Sequence, residues 1–155
     1  SQFRLYLPLC GDVVSGAEDE QIYLPKGNEH ILFVDDDDLQ GSIVKQILER
    51  QGYQIRVMNN STDALDVFRE AVDKYDIVIT DHLMPGMTGE ELAEKITKVR
   101  PDIPVILATG FSKPMTPEEC QKLGIRRVVM KPIVANELCI TVREILDECC
   151  IEEIV

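Results

Sequence analysis

The sequence has no tryptophan and only 5% aromatic residues, so any core must be built from isoleucine, leucine and valine. It has no apolar run near the roughly 18 residues that span a bilayer, and no charged-then-apolar leader. Both absences predict a soluble cytoplasmic piece that makes no membrane contact. Positive charge is scarce: 16 Lys and Arg stand against 28 Asp and Glu, for a net −12. Such a field repels phosphate backbones, which argues against nucleic acid and for a protein partner. The five cysteines are odd in number and include no CxxC pair, and no histidine sits at ligand spacing. Neither a disulfide framework nor a zinc site is therefore expected. The adjacent Cys149 and Cys150 read as reduced side chains, and Cys120 and Cys139 as small core fillers.

What is present is a regular alternation. Aliphatic runs at 31–34, 53–58, 76–80, 104–108 and 127–130 predict five strands. Between them, Leu39, Ile43, Ile47 and Leu48 form one helical stripe; Ala64, Leu65, Phe68, Ala71 and Val72 form a second; Leu92, Ile96 and Val99 form a third. Thr88 with Glu91, and Thr116 with Pro117 and Glu119, have the spacing of capping boxes that open the third and fourth helices. Gly124 marks the end of the fourth, and Leu138, Val142, Ile145, Leu146 and Cys149 make a fifth. Strict alternation with right-handed crossovers predicts an α/β fold of the flavodoxin-like (βα)5 kind, a doubly wound parallel sheet in the order 2-1-3-4-5. This domain is expected over residues 29–150. Residues 1–9 read as a remnant strand, 10–28 as a Gly-, Ser- and acid-rich linker, and 151–155 as a tail. The remnant strand has an apolar face that is expected to be disordered or to pair with a neighbour.

In such a sheet the reactive crevice lies beyond the carboxyl ends of the strands, where the winding direction switches. The first strand ends in Asp35-Asp36-Asp37-Asp38, the third at Asp81, the fourth at Thr109 and the fifth at Met130-Lys131-Pro132. Four consecutive aspartates are usually a solvated loop, but these follow a buried-strand pattern directly. Carboxylates about 4 Å apart repel by roughly 4 kcal/mol per pair at an effective dielectric near 20, so Asp35, Asp36 and Asp81 need a cation. All-oxygen ligation points to Mg²⁺, whose remaining positions can accept a phosphoryl oxygen. The Lys131 ammonium and the Thr109 hydroxyl add one charge and one donor, and Asp81 is the candidate nucleophile. His82, beside it, is expected to point away from Asp81 on an alternating strand and to take no part.

VDDD on the first strand, ITDHLMPGMTG on the third, ILATG on the fourth and VVMKP on the fifth resemble the response-regulator receiver family of two-component signalling. The resemblance implies Asp36 as a direct metal ligand, Asp35 as its mostly water-mediated companion, the Leu83 main-chain carbonyl as a further ligand, and an aspartyl phosphate at Asp81. It implies that Thr109 and Lys131 contact the phosphoryl group, and that the Lys131–Pro132 bond is cis. The phosphate is implied to come from a phosphohistidine on a histidine kinase or a phosphotransfer domain, with a homodimer left open. The fragment would then be an acceptor and not itself an enzyme. Val128 departs from the pattern, because an aromatic residue usually stands three places before the lysine.

The opening SQFRLYLPL resembles the closing strand of a histidine-kinase ATP-binding domain, which implies a hybrid sensor kinase as parent. Two alternatives belong to other classes. A haloacid-dehalogenase-like phosphatase would use Asp35 as nucleophile, but Leu39 stands where its motif needs Thr or Val. An unphosphorylated pseudo-receiver would serve only as a docking surface, though it has no use for so many uncompensated carboxylates.

Overall fold

The central strands are apolar on both faces, and that dictates the layering. In the computed structural model, which describes residues 23–110 and 115–154, β3 (Ile77–Asp81) and β4 (Val105–Thr109) are buried at every position, and β1 (His30–Val34) at all but the first. Strands with two buried faces must be covered on both sides by helices, the arrangement that a parallel sheet requires. The edge strands β2 (Gln54–Met58) and β5 (Ile125–Met130) leave several side chains in solvent. All pairings are parallel and the order is β2-β1-β3-β4-β5, as the alternation of patterns predicts.

Because side chains alternate along a strand, the sheet divides the core in two. Leu32, Val34, Val78, Val105 and Leu107 face one side, where they pack with residues of α2 (Ser61–Glu70), α3 (Gly89–Val99) and α4 (Pro117–Leu123). Ile31, Phe33, Ile77, Ile79 and Ile106 face the other, against α1 (Asp38–Arg50) and α5 (Ala135–Ile154). Both capping boxes are formed, with Glu91 N–H donating to Thr88 Oγ1 and Glu119 N–H to Thr116 Oγ1, each at 3.2 Å. Gly124 ends α4 in the left-handed region at φ 74°, where a side chain would also strike Thr97. Cys139 is buried and Cys120 packs against the other core cluster, as expected of small apolar fillers.

Two segments flanking the expected domain carry packing that composition does not reveal. Residues 24–28 do not behave as linker: Leu24 packs on the core, Gly27 N–H donates to the Gln51 carbonyl at 3.0 Å, and the Lys26 carbonyl accepts from Arg143. Polar composition concealed main-chain bonding of that segment, which is a tertiary property. Residues 151–154 form the last turn of α5, since nothing there breaks a helix, and Arg126 of β5 pairs with Glu152 at 3.0 Å. The remnant strand and residues 10–22 of the expected linker lie outside the described residues.

Candidate functional site

The run of four aspartates divides its labour. Asp37 caps α1, accepting the Leu39 and Gln40 amides, and Asp38 sits in its first turn, where the helix dipole favours a negative charge. Asp35 and Asp36 remain for the site. Register does the rest: Val34 pairs with Thr80, Asp81 with Ala108 and Thr109 with Met130, so Asp35, Asp81, Thr109 and Lys131 all lie at the carboxyl edge of adjacent strands.

Asp35 is 1% exposed and Asp81 7%. Lys131 Nζ lies 3.0 Å from Asp35 Oδ2 and 2.8 Å from Asp81 Oδ1, so one ammonium holds two buried carboxylates. The other Asp35 oxygen accepts the Asp37 amide at 2.9 Å. Asp36 is exposed, and ligand atoms of Asp35, Asp36 and Asp81 all lie within 4.8 Å of one another. Burial raises the Asp35 carboxyl above its ordinary range, although the Asp37 amide and Lys131 pull it down. Burial also lowers the Lys131 ammonium, but the hydrogen bonds it donates to Asp81 and Asp35 outweigh that and the net direction is up. The two partners do not mirror each other: Lys131 gains two carboxylates, whereas Asp35 shares one ammonium with a second carboxylate. Three carboxylates with ligand atoms within 4.8 Å of one another stand against one ammonium, an excess of negative charge that a divalent cation relieves. The oxygen-only donor set fits a hard cation.

The loop after β3 is shaped by two glycines. Gly86 adopts φ 84°, and a Cβ on Gly89 would collide with the Asp81 carbonyl oxygen, so the MPGMTG turn can close tightly only as it is. Ser61 at the start of α2 donates to the Met87 carbonyl at 2.9 Å and fastens the turn from the far side. Asp81, His82, Leu83 and Gly110 line a cavity of about 290 Å³ at this edge. Leu83 itself has an exposed side chain. The Lys131–Pro132 peptide is cis, and the Lys131 amide donates to the Thr109 carbonyl at 2.8 Å.

His82, expected to point away from Asp81, lies one residue beyond the regular strand, and its ring meets two groups that the alternation of the strand did not single out. Its Nδ1 lies 3.2 Å from Thr109 Oγ1 and its Nε2 3.0 Å from Glu90 Oε1. Sequence reasoning passed over Glu90 altogether, because an acid in the first turn of a helix is accounted for by the dipole.

A doubly wound sheet with an acidic cluster, a hydroxyl and a lysine on one edge defines a phosphoacceptor domain of the kind used in signalling. Residues 31–143 match the response regulator receiver domain, and the chain belongs to that family. It is 35% identical over 116 residues to the transcriptional regulatory protein ZraR of Klebsiella oxytoca, spanning 75% of this chain and 26% of that protein. It is equally 35% identical, over 111 residues, to the 3′,5′-cyclic-nucleotide phosphodiesterase regA of Dictyostelium discoideum, of which it spans 14%. Among solved structures, a CheY-like receiver domain from Methanospirillum hungatei superposes with a TM-score of 0.74 at 31% identity, covering 81% of this chain and 99% of that one. The response regulator TrrA of Thermotoga maritima, solved in complex with Mg²⁺ and BeF, gives 0.68 at 32% identity, covering 76% and 98%. The chain thus matches nearly whole receiver domains but only a fraction of those two longer regulators.

Proposed function

We propose that Asp81 is the phosphoacceptor of this receiver and takes its phosphoryl group from a phosphohistidine on a histidine kinase or phosphotransfer domain. An Asp81 oxygen attacks phosphorus, the P–N bond breaks, and its electron pair returns to the departing imidazole. Asp35, Asp36, Asp81 and the Leu83 carbonyl would hold Mg²⁺, which neutralises the approaching negative oxygens. Lys131 bridges Asp35 and Asp81 and brings its ammonium to the edge at which a phosphoryl oxygen would arrive. Thr109 offers its hydroxyl to another. Positioning and charge neutralisation of this kind supply most of the catalysis in phosphoryl transfer.

The observation that carries this reading is the imbalance at the strand edge: three carboxylates within reach of one another against one ammonium. A chain that only bound a partner would gain nothing from it. In this reading the fragment is an acceptor rather than an enzyme, works in the cytoplasm, and belongs to a parent histidine kinase. Incubation with acetyl phosphate and Mg²⁺, followed by intact-protein mass measurement, should show one phosphoryl increment that Asp81→Asn abolishes and EDTA prevents. Retention of the increment in Asp81→Asn, or its loss only in Asp35→Asn, would move the nucleophile to another strand.

A further inference from the structure

The backbone of His82 is fixed from two sides: its amide donates to the Ala108 carbonyl at 2.8 Å, and its carbonyl accepts the Gly89 amide at 2.9 Å. Its side chain is 23% exposed, and the ring reaches two separate elements. On one side is Glu90, in the first turn of α3. On the other is Thr109, the last residue of β4. A carboxylate can only accept, so Nε2 carries a hydrogen toward Glu90, and Nδ1 is the atom left to meet the Thr109 hydroxyl. The imidazole is planar and rigid, so the distance between the α3 carboxylate and the β4 hydroxyl is set by the ring.

We propose that His82 is a positioning residue for phosphoryl transfer: it orients the Thr109 hydroxyl through Nδ1 and ties that orientation to Glu90 at the start of α3. The inference rests on the reading of Asp81 as acceptor and deepens it, since the donor aimed at the new phosphoryl oxygens is then held from α3. The ring's part is to hold Oγ1 at the site edge in the rotamer from which the Thr109 proton passes from Nδ1 to an arriving phosphoryl oxygen, so that without the ring the hydroxyl must first be brought there. The ring is then released toward Glu90, and the first turn of α3 registers the modification. A bystander histidine, by contrast, would contribute one surface hydrogen bond to stability and nothing to transfer.

Asparagine and glutamine separate the two ends of the ring. The side-chain amide of Asn reaches about as far as Nδ1, and that of Gln about as far as Nε2. The measurement is the rate of phosphoryl incorporation from acetyl phosphate at saturating Mg²⁺, with the Mg²⁺ affinity of each variant determined by calorimetry without phosphodonor. His82→Ala and His82→Gln should slow incorporation about 5- to 10-fold, in the range of ordinary intramolecular coupling, with Mg²⁺ affinity unchanged within about 2-fold. His82→Asn should restore most of the rate. In a Thr109→Val background His82→Ala should add less than about 2-fold, because the residue acts through the hydroxyl that is gone. Glu90→Gln should shift the Thr109 amide resonance in the unphosphorylated chain. Equal rates in His82→Asn and His82→Gln, or undiminished slowing by His82→Ala in the Thr109→Val background, overturn the proposal while leaving Asp81 as acceptor. Absence of any phosphoryl increment in the unmodified chain overturns the acceptor reading, and this role with it.

Discussion

The two ends of the sheet carry comparable numbers of charged side chains and use them differently. At the amino end, Arg143 binds Glu29 and Asp147 at 2.9 and 2.8 Å, while Arg100 donates to the Tyr75 and Val72 carbonyls and to Asp102. There Asp147 and Asp102 are 62% and 67% exposed, so water screens whatever charge the arginines leave over. At the carboxyl end, Asp35 and Asp81 are buried around one lysine, and water cannot do the same. Burial, rather than the number of carboxylates, separates a clamp that holds the domain together from a cluster that waits for a cation and a phosphoryl group.

Substitutions should break this contrast in graded order. Lys131→Ala should have the largest effect on both properties, slowing phosphoryl incorporation at least about 100-fold, as loss of a transition-state donor does. It also leaves two buried carboxylates facing each other, so the metal-free chain should lose about 2–3 kcal/mol in a urea titration. Mg²⁺ should recover more stability in this variant than in the unmodified chain. Gly89→Ala drives a methyl into the Asp81 carbonyl and should cost about 1–3 kcal/mol while displacing the acceptor. Lower stability with a normal incorporation rate would show that the turn does not position Asp81.

Arg143→Ala should act at the other end only, costing about 1–2 kcal/mol with incorporation unchanged. The Glu29 carboxyl sits below its ordinary range: burial raises it, but the Arg143 hydrogen bond and the local amides outweigh that. Its contribution is therefore present above the unfolded-state value and fades as pH falls through the folded one. The unmodified chain and Arg143→Ala should accordingly converge in melting temperature below about pH 4. Asp35 has the opposite sign, being raised by burial, so its ionised form costs stability above the carboxylate range and the cost disappears as pH falls. Asp35→Asn should thus raise the metal-free melting temperature at pH 7 by a few degrees and lose that advantage in acid. A decrease at pH 7 would mean that the bond to Lys131 outweighs burial.

The fold was legible because each segment carries its own period. ILFV, DIVIT and PVILA cannot be half-exposed strands, the stripes between them fit only helices, and five such units leave few topologies. The candidate metal and phosphoryl residues were legible for a related reason, since each immediately follows or ends a strand whose end is easily found. His82 and Glu90 were not legible: the chain of contacts from Glu90 through His82 to Thr109 spans three separate segments, and the strand ends one residue too early for alternation to place the ring. The strap at residues 24–28 was hidden likewise, because its bonds are to main-chain groups of distant segments that carry no signature in composition.

By itself, then, the sequence determined the parallel sheet, its flanking helices, and which carboxylates, hydroxyl and lysine stand at strand ends, because periodicity and strand termini are local properties of the chain. Only the tertiary structure decided that Asp35 and Asp81 are buried around one ammonium while Asp36 stays in water, and that an imidazole joins α3 to β4. Burial and pairing depend on register and on side chains brought together from distant segments.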